Sequence, residues 1–306
     1  MHVLITGGAG YLGTELVSLL AGHSSISKVT IYDNLSHGRH GLFTGAPITG
    51  AEMVFCRKEL LDSRSLKMAL QDVDVVVHLA AKVSTPFAGG DPHGFQQVNH
   101  WGTAELSYAL EESSVKKVIY ASSASVYGVS DTPKTIQDKP GPNTSYAISK
   151  LHGESMLLRL KEQMQVVVVR CANIYGYSPS LRFDAVINRF VRQAFFEGRI
   201  SVEGDGKQLR PFIHIHHAAT VFQKLVTEFS DSGIYNLVDQ NRSIMDIANH
   251  LKDLRPDLEM MYIEQDMPRV SLQVESSPEM IALHPNPPSF EDQITEFASV
   301  FRFSVS

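Results

Sequence analysis

The chain has 306 residues, 43% hydrophobic and 20% charged, enough for one large domain or two modest ones sharing a core. A net charge of -6 provides no basic surface for a nucleic acid, so an anionic ligand would need local positive groups. The two cysteines, Cys56 and Cys171, each lie in an apolar run and lack zinc-site spacing, so reduced core thiols and no metal are expected.

Val3-Leu4-Ile5 starts a strand at once. No leader is expected before it, and no apolar run reaches membrane-spanning length, so the expectation is a soluble, cytoplasmic protein. In chain order, β-branched runs predict strands at 3–6, 28–32, 52–56, 73–79, 117–122 and 166–171. Helical patterns fall between them at 12–21, 63–70, 95–113 and 146–163. Val75-Val76-Val77 and the run from Val166 to Val169 are apolar without alternation, as strands covered on both faces are. This order predicts an α/β chain, a Rossmann-type doubly wound parallel sheet. After Cys171, Gly and Pro become frequent and the helices shorten, before a last strand at 234–238. The expected division is a dinucleotide-binding domain over 1–171, with 212–238 returning to it. A smaller mixed α/β substrate-binding lobe is then expected from 172–211 and 239–306, over the strand ends where open α/β sheets bind ligands.

Gly7, Gly10 and Gly13 sit between the first strand and a helix. Glycine there permits the tight turn and lets the backbone approach a pyrophosphate, while the amides of Tyr11, Leu12 and Gly13 open a helix whose dipole favours phosphate. Asp33 ends the second strand, twenty residues after Gly13. A carboxylate there accepts hydrogen bonds from both ribose hydroxyls and repels a 2′-phosphate, which points to NAD. His37, Arg39 and His40 in the loop beyond keep NADP open as an alternative. Further cofactor contacts are expected from Asn34, Ser36 and Gly38, from Glu59 and Leu60 near the adenine, and from Leu79, Ala80, Ala81 and Lys82 after the fourth strand.

Tyr146 and Lys150 stand four apart at the start of a helical stretch and therefore share one face. A phenol is a poor base near neutral pH. A nearby ammonium would favour the phenolate and lower its pKa, allowing Tyr146 to take a hydroxyl proton. Ser123, at the end of the fifth strand, would hold the substrate oxygen.

These stretches, with His78-Leu79-Ala80-Ala81, Asn99-His100-Trp101-Gly102-Thr103, Ser122-Ser123-Ala124-Ser125-Val126-Tyr127-Gly128, Tyr146-Ala147-Ile148-Ser149-Lys150, Asn173-Ile174-Tyr175-Gly176 and Gly204-Asp205-Gly206, resemble the extended short-chain dehydrogenase/reductase family in its nucleotide-sugar epimerase/dehydratase branch. The resemblance runs nearly end to end and is most specific in the first 180 residues. It implies that Ser123, Tyr146 and Lys150 are the catalytic set and that Asn99 orders the site beside the cofactor. It also implies that Asn173, Arg210 and Arg269 bind the nucleotide diphosphate, with Ser201 and Glu203 also among the substrate-binding residues. A homodimer through the helices at 95–113 and 146–163 is implied as well, for which Leu106, Ala109, Leu110, Leu151, Met156 and Leu157 could supply apolar contact; core packing of the same residues is the alternative.

Dehydrating relatives carry Asp-Glu directly after the catalytic Ser or Thr, and decarboxylating relatives keep a Glu at the second of these positions. Relatives that epimerise through a carbanion place a Cys there. Here the two residues are Ala124 and Ser125, which leaves oxidation and reduction alone. The expected activity is NAD-dependent epimerisation of a nucleotide-diphosphate sugar at C4 through a 4-keto sugar. The alternatives are a 4-ketoreductase or dehydrogenase and, in another class, a non-catalytic dinucleotide sensor. Glu203 stands where relatives place an aromatic residue, which suggests a base other than uracil. Pro211 replaces the family's Asp and leaves the aim of Arg210 open. His214, His216 and His217 are read as structural.

Overall fold

The computed structural model describes residues 1–38, 40–45, 47–83, 91–263 and 271–301. The first half alternates β1 (His2–Thr6), α1 (Tyr11–Ala21), β2 (Lys28–Asp33), the single turn α2 (Gly41–Thr44), β3 (Glu52–Arg57), α3 (Ser63–Ala69) and β4 (Val75–His78). There follow α4 (Pro92–Phe95), a π-helical stretch (Gln96–Trp101), α5 (Gly102–Glu111), β5 (Lys117–Ser123), β6 (Ser130–Lys134), α6 (Ser145–Leu158), β7 (Gln165–Cys171) and β8 (Asn173–Tyr175). The remainder comprises α7 (Val186–Arg192), β9 (Arg199–Glu203), β10 (Leu209–His214), α8 (Ile215–Thr227), β11 (Gly233–Leu237), β12 (Gln240–Ser243), α9 (Ile244–Leu254), β13 (Glu259–Ile263), β14 (Leu272–Val274), α10 (Pro278–Leu283) and α11 (Phe290–Ser299).

Seven strands form the central sheet in the order β11-β7-β5-β4-β1-β2-β3, every pair parallel. The winding reverses between β1 and β4, which opens a crevice at their carboxyl ends. The apolar runs are continuous because alternate residues face different layers. Val75, Val77, Val167 and Val169 pack with α1 and α8, whereas Val76, Val166 and Val168 pack with α3, α5 and α6. Each valine so buried contributes about 1.5–3 kcal/mol. The strand expected at 234–238 is β11, the sheet edge beside β7.

The helix expected over 95–113 is divided by the π-helical stretch that carries Asn99, and the one expected to reach 163 ends at Leu158. Leu106, Ala109, Leu110 and Leu157, expected at a dimer interface, are buried in this chain's own core beneath the sheet, where their apolar area is already covered. A three-stranded sheet, β12-β10-β8, and the pairs β13-β9 and β14-β6 lie outside the central sheet. A third apolar cluster, including Tyr175, Phe190, Ile200, Phe212, Ile247 and Phe297, underlies the three-stranded sheet and the β13-β9 pair, whereas Leu272 and Val274 of β14 pack in the cluster that also holds α1 and α8. Of the cysteines, Cys171 is buried and Cys56 half-buried; both are free thiols. Among the described residues no helix is long and apolar enough to cross a membrane.

Candidate active site

A cleft of about 1040 Å³ runs along the carboxyl edge of the sheet, from Asp33 and Glu59 at one end to Glu203 and Arg210 at the other. Its floor at the β1–α1 turn is bare backbone. Gly7 has φ +71°, and a Cβ on it would stand 2.6 Å from the Ala80 nitrogen; a Cβ on Gly13 would stand 2.4 Å from the Gly7 oxygen. Gly10 opens α1 with no side-chain cap, which suits first-turn amides that serve an anion.

Asp33 accepts from the Ala9 amide at 3.0 Å through Oδ2 and from the Leu35 amide at 2.8 Å through Oδ1. It therefore forms a local turn and braces the glycine loop, and each oxygen keeps a lone pair for a ribose hydroxyl. Asn34 donates to Glu59 Oε2 at 2.9 Å, and the Ser36 amide donates to Asn34 Oδ1. Leu60, Leu79, Ala80, Ala81 and Ser36 line the cleft, as does His37; Gly38 and His40 lie outside its lining, and Arg39 lies outside the described residues. Lys82 lines the cleft, but its ammonium is paired with Asp91. Its backbone is clamped by Asn99, whose side chain accepts from the Lys82 amide at 2.8 Å and donates to its carbonyl at 2.9 Å and to Ser149 Oγ at 3.0 Å. These bare turns and acceptors fit a nicotinamide dinucleotide.

Thr144 caps α6 through the Ala147 amide at 3.1 Å and so sets Tyr146 in the first turn, facing the end of β5. Tyr146 is hydrogen-bonded to Ser123. Ser123 Oγ also accepts from the Ser125 amide at 3.2 Å and the Ser125 hydroxyl at 2.9 Å. Burial pushes the Tyr146 phenol above its ordinary value; Ser123 and the Arg182 guanidinium pull it down, and Cys171 pushes it up. The net displacement of Tyr146 is upward, where a lowered phenol was expected, and the Lys150 ammonium lies over the face of Tyr120, 4.5 Å from the ring centroid. Burial lowers Lys150 to about 8, against Cys171 and Glu154, which raise it. Burial pushes Cys171 up to about 12, so its thiol stays protonated.

At the other end, Asn173 donates to the Pro211 carbonyl at 2.9 Å. Pro211 sits in β10 opposite Asn241, which keeps Arg210 in the cleft lining. Glu203 Oε1 accepts from both terminal nitrogens of Arg189 at 3.3 Å, so the carboxylate that suggested a base other than uracil already faces a guanidinium. Ser201 lies on β9 outside the cleft lining, and its amide donates to Gln193 at 3.4 Å. Arg269 lies outside the described residues. His214 donates its backbone amide to Asp239 at 2.9 Å, and His217 contacts the same carboxylate, so both histidines brace the end of β10.

Several residues not singled out from sequence complete the site. Arg182 acts on Tyr146 while bonded to Asp184 at 2.8 Å. Ser180 bonds Thr14 at 2.8 Å and the Ala9 carbonyl at 3.1 Å, and Asn188 donates to the Tyr11 hydroxyl at 3.1 Å. The segment after β8 thereby packs directly on the glycine loop. In sequence Ser180, Arg182 and Asn188 fall in a stretch where polar and apolar residues interleave without a regular period.

The sequence profile of the NAD dependent epimerase/dehydratase family matches residues 3–237. A UDP-N-acetyl-alpha-D-glucosaminuronate decarboxylase of Bacillus cytotoxicus is 31% identical, over 98% of this chain and 97% of the relative. A UDP-glucose 4-epimerase of Bacillus subtilis is 33% identical over 60% of this chain and 55% of the relative. Among solved structures, a UDP-N-acetylglucosamine 4-epimerase from Methanobrevibacter ruminantium in complex with UDP-N-acetylmuramic acid superposes with a TM-score of 0.84 at 27% identity, covering 98% of this chain and 97% of that one.

Proposed function

The chain belongs to the NAD dependent epimerase/dehydratase family, and on that premise we propose that it epimerises the sugar of a nucleotide diphosphate sugar at C4. The observation that carries this reading is the hydrogen bond of Tyr146 to Ser123 where Ala124 and Ser125 follow. A proton acceptor for a hydroxyl is present there, and neither following residue is an acid that would help expel water. NAD, when bound, would supply reversible two-electron oxidation at C4. Tyr146 reacts as its phenolate: it takes the C4 hydroxyl proton and becomes the phenol, while Ser123 donates its hydroxyl to the same oxygen and favours the phenolate. Lys150, one turn further along α6, holds the positive charge that favours the phenolate. The same proton returns from Tyr146 when the 4-keto sugar, turned over in the cleft, is reduced.

The remaining roles belong to the same proposal. Asp33 binds the adenosine ribose, and the residues after Cys171 other than 212–238 act as the substrate lobe. Asn173 and Arg210 bind the diphosphate. Homodimerisation is proposed through the face that exposes Trp101 and Tyr108.

The test uses purified protein with no added cofactor. It is denatured for assay of released NAD and NADH, and native protein is incubated with UDP-, dTDP-, GDP- and CDP-hexoses and with UDP-glucuronate and UDP-N-acetylglucosaminuronate. Retained NAD and a C4 epimer are expected. Release of CO2 from a uronate, loss of water, or turnover only with added NADPH would overturn the epimerase reading. Bound NAD with no turnover of any sugar would favour a sensor.

A further inference from the structure

Tyr120 lies on β5, three residues before Ser123, and is fully buried, so it cannot touch substrate. Its surroundings hold the ring from several sides. The Lys150 ammonium lies over the ring, 4.5 Å from the centroid. The His78 imidazole stacks with it, the ring centroids 5.3 Å apart and the planes at 21°. The phenol oxygen meets the Lys150 carbonyl at 3.4 Å and the Thr103 hydroxyl. Gly153 leaves room for that oxygen, since a Cβ there would stand 2.4 Å from it.

We propose that Tyr120 is a positioning residue for the Tyr146–Lys150 pair: its ring face fixes the Lys150 side chain and keeps it an ammonium inside the core. The proposal rests on the reading of Lys150 as the charge that serves Tyr146. An aromatic face attracts a cation through its quadrupole, and the attraction is larger where water is excluded. The other groups around Lys150 are poor substitutes. Glu154, one turn further along α6, is committed to Arg170 and Ser122. Cys171 on β7 stays a neutral thiol and His78 on β4 stays a neutral imidazole, both through burial. Burial pushes the phenol of Tyr146 on α6 upward, while Ser123 and Arg182 pull it down. Burial drives Lys150 toward losing its proton, and the ring face acts in the opposite direction.

The test is a direct titration of Lys150 in the full chain, labelled at the lysine side-chain carbon and nitrogen and followed by NMR, with Lys150→Met identifying the signal. Tyr120→Phe keeps the face, and Lys150 should titrate as in the native chain. Phenylalanine fluorinated stepwise at position 120 keeps the shape while draining the face. The Lys150 pKa should then fall by about one unit in total, a tenfold change in proton affinity. The alkaline limb of sugar turnover should move down with it. Two NMR results would overturn the proposal: a Lys150 titration indifferent to fluorination, or a full drop already in Tyr120→Phe, which would assign the effect to the phenol oxygen. A pKa that moves while the turnover limb stays put would also overturn it. Because the titration reads Lys150 itself, absence of any sugar turnover would count against the epimerase reading alone.

Discussion

Glu154 and Arg170 form a buried two-point ion pair, Nε to Oε1 at 3.0 Å and the terminal nitrogen to Oε2 at 2.7 Å. The Ser122 hydroxyl donates to the same carboxylate at 2.5 Å, and Arg170 donates to the Tyr127 hydroxyl at 3.0 Å. The pair therefore fastens α6, one turn beyond Lys150, to the strand ends that carry Ser123 and Cys171. Removing one partner leaves a buried charge without compensation. Glu154→Ala should cost about 3–5 kcal/mol in urea unfolding. Replacing both partners, Glu154→Leu with Arg170→Met, should recover most of that loss. A single variant as stable as the native chain would show that the pair does not fasten α6.

His78 gives folding stability an acid limb. Its imidazole is fully buried between Thr6, at 2.6 Å on Nδ1, and Thr103, at 2.9 Å on Nε2, and burial, with a smaller push from Lys150, lowers it from 6.5 to about 3. Between those values the unfolded chain binds a proton that the folded chain does not. The His78 contribution is therefore complete above about pH 6.5 and is lost as pH falls toward 3. At pH 5 the loss is about 2 kcal/mol. Urea midpoints of the native chain and His78→Gln, compared at pH 7 and pH 5, should show a smaller drop in the variant. Equal drops would mean that His78 is not the titrating group.

The features legible in the sequence are those in which burial or chemistry repeats at short range. The central sheet was readable because Val75–Val77 and Val166–Val169 are covered on both faces and leave unbroken apolar runs. Gly7, Gly10, Gly13 and Asp33, like Tyr146 and Lys150, lie at strand ends or in the first two turns of a helix, where local spacing fixes direction. The smaller sheets were not readable, because β12 is half-buried throughout and β13 is largely exposed, so neither has a distinctive pattern. α8 was hidden because its first turn holds His216 and His217, although the residues facing α1 are apolar. The long-range contacts of Ser180 with Ala9 and of Arg182 with Tyr146 have no local period to betray them. The same holds for the pairing of Glu203 with Arg189, which sequence alone presents as an unopposed carboxylate.

Asp33 carries the cofactor prediction. Asp33→Asn keeps the size and one acceptor oxygen but removes the charge from a group that also holds Ala9 and Leu35. Hydrogen bonds to a charged acceptor contribute about 1.5–3 kcal/mol, so NAD should bind roughly tenfold to a hundredfold more weakly by calorimetry. The affinity for NADP should fall less, or rise, because the repulsion of its 2′-phosphate is gone. A parallel loss for both dinucleotides would argue that Asp33 acts only through the glycine loop.

Ser125 was noticed in the sequence only as a missing acid, yet its hydroxyl donates to Ser123 at 2.9 Å. Because it fills an acceptor site on Ser123, it leaves the Ser123 hydrogen directed at Tyr146. A Ser123 hydrogen bond lowers the Tyr146 pKa, so weakening it shifts the phenol upward. In Ser125→Ala the rise of kcat with pH should move to higher pH. At neutral pH kcat should fall about threefold to tenfold, the equivalent of one neutral hydrogen bond, with KM little changed. Ser123→Ala removes the donor outright, and its kcat should fall by about two orders of magnitude or more. If Ser125→Ala changed KM and left both kcat and its pH limb in place, Ser125 would be a substrate contact, and Ser123 would hold its orientation unaided.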